Sequence, residues 1–260
     1  MHYWRQTGEN SARRYAYNEA VAAVTKGLAL LATLPDSPAR TQHELTMLLM
    51  LGDLLSATKG IVALEVREVF TQAHTLCHQV GEPRQRYQVL QGLYWCSLPQ
   101  AQLHAAGELA QQLIDLAQRQ HDKDLVLAGQ AVVGVVATLR GELVVAQAHL
   151  EQYLSFADTT RSFASTVDRG HSLRVTHLTW MMQVLWELGS ADQAQQRGAE
   201  ALALAQQNGD PPSLAYAQFF GAVLTQYCRD AAATYACADA LVAFATAQGL
   251  ALRVEMGRIL

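Results

Sequence analysis

The sequence predicts an all-α solenoid of stacked helical hairpins, on three observations. Small residues recur on a fixed ruler, Ser, Asp and Pro mark helix starts at intervals, and no stretch alternates apolar with polar residues long enough to build a sheet. Half of the 260 residues are hydrophobic and 16% are charged, which suits a packed fold and excludes disorder.

The ruler comes first. Twelve residues beyond Gly8 stands Ala20, and nineteen beyond it Gly27. The same two steps lead from Gly134 to Ala146 and Tyr153, from Met182 to Ala194 and Ala201, and from Gly221 to Ala233 and Ala240. From Gly52 (to Val66 and Ala73) and from Gly92 (to Ala106 and Leu113) the first step is fourteen, which predicts a turn two residues longer. Gly257 would open a seventh unit. A small residue on the first helix lets the second approach closely, and small residues seven apart lie two turns apart on one face, where they admit a neighbour's side chains. Each hairpin has two faces to cover, so the stack carries the stability.

Helix starts divide the units. Ser37-Pro38, Glu82-Pro83 and Asp210-Pro211 each place a capping residue before a proline in the first turn. The expected units are 1–36, 37–81, 82–121, 122–158, 171–209 and 210–249, with a partial seventh at 250–260, in a single domain. The stretch 155–172 lengthens one connection and is the expected mobile hinge. The last residues, LALRVEMGRIL, do not have the polar face of a capping helix, so the chain is expected to be a piece of a longer protein. Open ends of this kind favour homodimers.

Trp4-x3-Gly8, then Tyr17-Asn18-Glu19-Ala20-Val21, then Lys26-Gly27-Leu28 followed by Pro35 resemble a tetratricopeptide (TPR) repeat, as do 139–154 and 187–205. The resemblance covers nearly the whole chain. It departs in its longer period, at Gly27, where Ala is usual, and at Met182. HEAT or armadillo repeats are the structural alternative. The strings GLALLATLPDSPAR, LLSATKG and ALALAQQNGDPPSLAYA resemble the C-terminal TPR-like regions of large bacterial signalling proteins, of the maltose-regulator class and behind cyclase and ATPase modules. That resemblance implies a right-handed solenoid of about six repeats and a cytoplasmic, non-catalytic interaction or scaffold module that binds a protein or peptide. An effector-sensing domain with a small ligand inside the superhelix is the alternative.

Other function classes recede. A net charge of −4 and a pI near 6.1 supply no basic stripe for nucleic acid. The apolar run at 125–139 falls short of a membrane span, and the N-terminus has no signal-peptide core. The four cysteines lack paired spacing, although Cys228 and Cys237 are close enough in sequence for a disulfide. No phosphate loop, nucleophile elbow or zinc-protease motif occurs, so no catalytic residue and no cofactor is expected. The string His74-Thr-Leu-Cys77-His78 puts two histidines on one helical face without a third ligand, which reads as an amphipathic helix rather than a metal site.

In a TPR stack the first helices line the inner groove. Carrying that pattern onto this chain gives Arg5, Glu9 and Arg13, then Asp53, then Arg86 and Leu93, then Thr138, then Gln183 and Trp186, and finally Gln218 as partner-binding residues. The middle of this set is apolar and its ends are polar. The Lys and Asn that grip a peptide's terminal carboxylate are missing, so an extended or helical segment with an apolar centre fits better. Trp186 either contacts that partner or plugs the seam between repeats.

Overall fold

The computed structural model describes residues 2–14, 16–159, 167–168 and 171–260. Thirteen α-helices occupy the described residues. They are α1 (His2–Arg13), α2 (Tyr17–Ala32), α3 (Pro38–Thr58), α4 (Leu64–Val80), α5 (Pro83–Ser97), α6 (Leu103–Arg119), α7 (Lys123–Leu139), α8 (Leu143–Thr159), α9 (Leu173–Glu187), α10 (Ala191–Asn208), α11 (Pro211–Tyr227), α12 (Ala231–Gln248) and α13 (Ala251–Ile259). The only described strands are two-residue pieces, Val167–Asp168 and His171–Ser172, paired antiparallel. The rest of the expected hinge at 155–172 lies largely outside the described residues.

The helix starts form for the reasons expected. Ser37 accepts a hydrogen bond from the Arg40 amide at 3.2 Å, and Asp210 accepts one from the Ser213 amide at 2.8 Å. Glu82 and Gln85 form a reciprocal capping box ahead of α5. Turn lengths match the ruler. Residues 140–142, 188–190 and 228–230 join their pairs, whereas 59–63 and 98–102 are two residues longer, the latter holding a 3-10 turn at Leu98–Gln100.

Two compact units divide the chain, Met1–Asp122 and Lys123–Leu260. The first holds three hairpins, α1/α2, α3/α4 and α5/α6. The ruler residues are seats for bulky side chains. A Cβ on Gly52 would lie 2.7 Å from the Phe70 ring, and one on Gly92 would lie 2.3 Å from the other parts of that ring. Phe70, on α4, is therefore clasped between two glycines of α3 and α5 and is buried. Gly27 clears the same kind of space for Met47, and Gly8 for Val24 and Met50.

The second unit holds α7/α8, α9/α10 and α11/α12, with α13 packed on α12. Its ruler positions are mostly alanines, and Ala146, Ala194, Ala201 and Ala205 are all buried. In the last full hairpin the register differs by one residue from the expected Gly221, Ala233 and Ala240. Ala240 is exposed, and the buried set is Ala222, Thr234 and Leu241, which keeps the same twelve and nineteen steps. The small-residue position is a threonine whose hydroxyl bonds the Asp230 carbonyl at 2.8 Å and meets the Thr225 hydroxyl at 3.0 Å. A polar side chain with its hydrogen bonds satisfied can thus sit where alanine was sought. Cys77, Cys96, Cys228 and Cys237 are free thiols, so the Cys228–Cys237 disulfide allowed by spacing does not form.

Candidate functional site

Within the second unit, successive first helices touch each other, α7 on α9, α9 on α11 and α11 on α13. The second helices α8, α10 and α12 pack on these first helices. The first helices therefore line the inner side of this unit. Helical spacing brings three aromatic pairings to that side. Trp186 of α9 stacks on Tyr227 of α11, with ring centroids 5.9 Å apart and planes at 18°. Trp180 meets Phe220 at 6.2 Å. The Arg253 guanidinium of α13 lies 4.8 Å over the Tyr216 ring, a cation–π contact that ties α13 to α11.

Trp186, Trp180, Tyr216 and Phe220 are half-buried, and Tyr227 is 36% exposed, so these rings seal the seam between helices while keeping edges open. Gln183 donates to the Glu187 carboxylate at 3.1 Å along the rim. Partial burial pushes the Tyr227 phenol above its ordinary value, and the neighbouring Glu187 charge adds to that. Tyr227 therefore stays a neutral hydroxyl at any physiological pH.

The other expected site residues fall into different surroundings. Arg5 and Glu9 pair along α1 at 3.6 Å and are both part-exposed. Asp53 and Leu93 are half-buried on α3 and α5. Thr138 is buried, its hydroxyl on the Gly134 carbonyl at 2.9 Å. The amide oxygen of Gln218 is buried with no hydrogen bond among the described residues. The side chain of Arg13 lies outside the described residues. Arg86 is exposed, donates from Nε to the Gly81 carbonyl at 3.0 Å, and opens onto a cavity in the first unit. Tyr216, Phe220 and Tyr227 were missed because the ruler ranks small residues. Their spacing of four and seven along α11 is the signal that would have found them.

His74 and His78 face each other edge to face at 4.7 Å, and Cys77 is buried beside them. Among the described residues no group of three or more His, Cys, Asp or Glu is placed to hold a metal ion. No described helix is long and apolar enough to cross a membrane.

No family model matches the sequence, and no curated protein is similar to it. Solved structures are similar in fold. A Rap protein complexed with competence and sporulation factor superposes with a TM-score of 0.68 at 11% identity, over 97% of this chain and 67% of that one. The Rap conjugation gene regulator of plasmid pLS20 with the Phr* peptide gives 0.66 at 12%, over 97% and 71%. TPR-like repeats of a kinesin light chain from Podospora anserina give 0.54 at 17%, over 79% and 95%. The chain has the TPR-like helical-repeat fold. The two Rap structures match it over 97% of its length.

Proposed function

We propose that the chain is a protein-interaction module that seats a peptide segment on the aromatic inner side of its second unit. The carrying observation is the set of half-open rings on consecutive first helices, with Trp186 on Tyr227 at its centre. Such rings give a segment with apolar side chains a broad, rigid contact at low entropic cost, and the amide and carboxylate of Gln183 and Glu187 face its polar backbone. The Rap structures bound to competence and sporulation factor and to the Phr* peptide support the reading, since peptide binding is known on the same fold. Thr138 and Gln218, on first helices of the same unit, are assigned the lesser role of framing that contact, while Arg5, Glu9, Arg13, Asp53, Arg86 and Leu93 belong to the first unit and take no part in it. A role in bacterial signalling in the cytoplasm accords with this reading and with the four free thiols.

The test is selection of binding peptides from a displayed random library on the purified chain, followed by titration of the winners against variants. Trp186→Ala and Tyr227→Ala should each weaken selected peptides by about thirtyfold, the size of a hot-spot loss near 2 kcal/mol. Raising salt should change the affinity little, because the contact is apolar. Peptides that bind both variants as well as the wild type would place the site elsewhere and sink the proposal.

A further inference from the structure

The first unit carries a separate, partly open cavity of about 300 Å³, lined by residues of α4, α5 and α6. Its volume is that of a small-molecule site. Two imidazoles and two guanidiniums reach it from three helices, His74 and His78 from α4, Arg86 from α5 and Arg119 from α6, with the Gln112 amide of α6 beside them. One carboxylate, Asp115, is the only acid in the lining, and it already accepts a hydrogen bond from Gln111 at 2.8 Å. Leu90 and Leu116 give part of the wall an apolar surface.

Charge decides what such a cavity can hold. Two histidines four apart could grip a transition metal, but two permanently charged guanidiniums in the same lining repel a cation. The same guanidiniums, with imidazoles that can donate from either nitrogen, suit an anion with several acceptor oxygens. We propose that this cavity binds the oxyanion group of a small molecule, a phosphoryl or carboxylate group, between His74, His78, Arg86 and Arg119. The site is distinct from the aromatic inner side of the second unit and does not depend on it.

Protonation tunes the site. Burial, and then the His78 charge, hold His74 below the ordinary imidazole range, so near neutral pH it is uncharged. Burial also keeps the Cys77 thiol protonated, with the Arg86 charge opposing it. The groups facing His74 are therefore His78, Cys77, Arg86, Arg119 and Asp115. As pH falls to the acid side of the ordinary imidazole range His74 gains charge, and an anion of constant charge binds more tightly.

The experiment titrates the full chain with sodium sulfate, a tetrahedral dianion standing for phosphoryl, and separately with sodium acetate. Ionic strength is held with sodium chloride while histidine ring signals are followed by NMR. Saturable shifts of His74 and His78, with the exposed ring of His104 unmoved, are the expected result. Saturation by sulfate alone assigns a phosphoryl group, by acetate alone a carboxylate, and by both a general oxyanion site. Arg86→Gln with Arg119→Gln should raise the apparent Kd at least tenfold, and Asp115→Asn, which removes the repelling acid, should lower it severalfold. Lowering pH to the acid side of the ordinary imidazole range should strengthen sulfate binding. No saturation by either anion, or indifference to the arginine pair and to Asp115→Asn, overturns the proposal. The Asp115→Asn arm keeps it testable if the double variant does not fold.

Discussion

The two units solve one packing problem in different ways. In Met1–Asp122, bulky side chains of one helix are received by glycines of the next, and Phe70 between Gly52 and Gly92 is the clearest case. In Lys123–Leu260 most facing positions are alanines, Ala146, Ala194, Ala201 and Ala205 among them, and while Tyr153 is buried, Trp180, Trp186, Phe220 and Tyr227 stay on the seam between helices. A glycine seat lets a ring such as that of Phe70 sink into the core. An alanine seat holds helices at an ordinary distance and leaves tryptophan and tyrosine on the seam, where one edge packs and the other faces out. The contrast explains why the aromatic candidate site lies in the second unit and the polar cavity in the first.

The harshest way to break the comparison is to remove the knob. Phe70→Ala should destabilise the first unit by about 3–5 kcal/mol, the usual loss for a buried phenylalanine with a cavity left behind. Hydrogen exchange should show it as lost protection across α3, α4 and α5 with α9 to α12 spared. An equal loss in both units would mean that they do not pack independently enough for the contrast to matter.

Much of this was legible before the structure. The ruler located the glycine seats of the first unit because a missing side chain is visible in sequence, and the fourteen-residue step announced the longer turns at 59–63 and 98–102. The knobs were less legible, because nothing in Phe70 itself says which two glycines will clasp it. The groove assignments rested on which face of each first helix looks inward, and a stripe of seven-residue steps cannot distinguish an inner face from a seam. Thr138 is buried for that reason, and Arg86 opens instead on a cavity shared with the second helices. The rings of α11 are not marked by the ruler, which registers where side chains are small.

The seat can be broken from the other side. Gly92→Ala puts a Cβ 2.3 Å from the Phe70 ring, which Gly52 also crowds, a Cβ there lying 2.7 Å away. The cost should fall toward the upper end of the roughly 1–3 kcal/mol seen for overpacked cores, read as a lower urea midpoint at unchanged slope. Phe70→Leu should restore part of it, because a smaller knob tolerates a shallower seat.

A titration sharpens the comparison in the second unit, whose alanine-rich core encloses one histidine. His177 is fully buried, its ring against Tyr153 at 4.5 Å. Burial pushes its pKa down to about 3, and the Leu173 carbonyl one turn back offsets little of that. The unfolded chain takes up a proton near pH 6.5 and the folded unit does not, so this stability is present above pH 6.5 and is lost as pH falls toward 3. Between pH 7 and pH 5 the loss should be about 2 kcal/mol. His177→Phe should flatten that slope in urea unfolding followed at each pH. A slope that survives the substitution would assign the acid sensitivity to another group.

The smallest effect tests the register itself. The ruler makes Gly221 the leading small residue of the last full hairpin, yet a Cβ there would meet nothing within 4 Å, because Ala222 is the residue turned into the packing. Gly221 therefore clears no seat and only weakens α11, in whose interior it stands. Gly221→Ala should stabilise the second unit by roughly 0.5–1 kcal/mol, the ordinary helical advantage of alanine over glycine. Ala222→Leu at the next position should do the reverse by overpacking the buried contact. If both substitutions destabilise, the glycine does have a close neighbour and the register is that of Gly221, Ala233 and Ala240. If Gly221→Ala raises the urea midpoint while Ala222→Leu lowers it, the ruler keeps its twelve and nineteen steps but starts one residue later. The packing, not the identity of the small residue, is then what repeats.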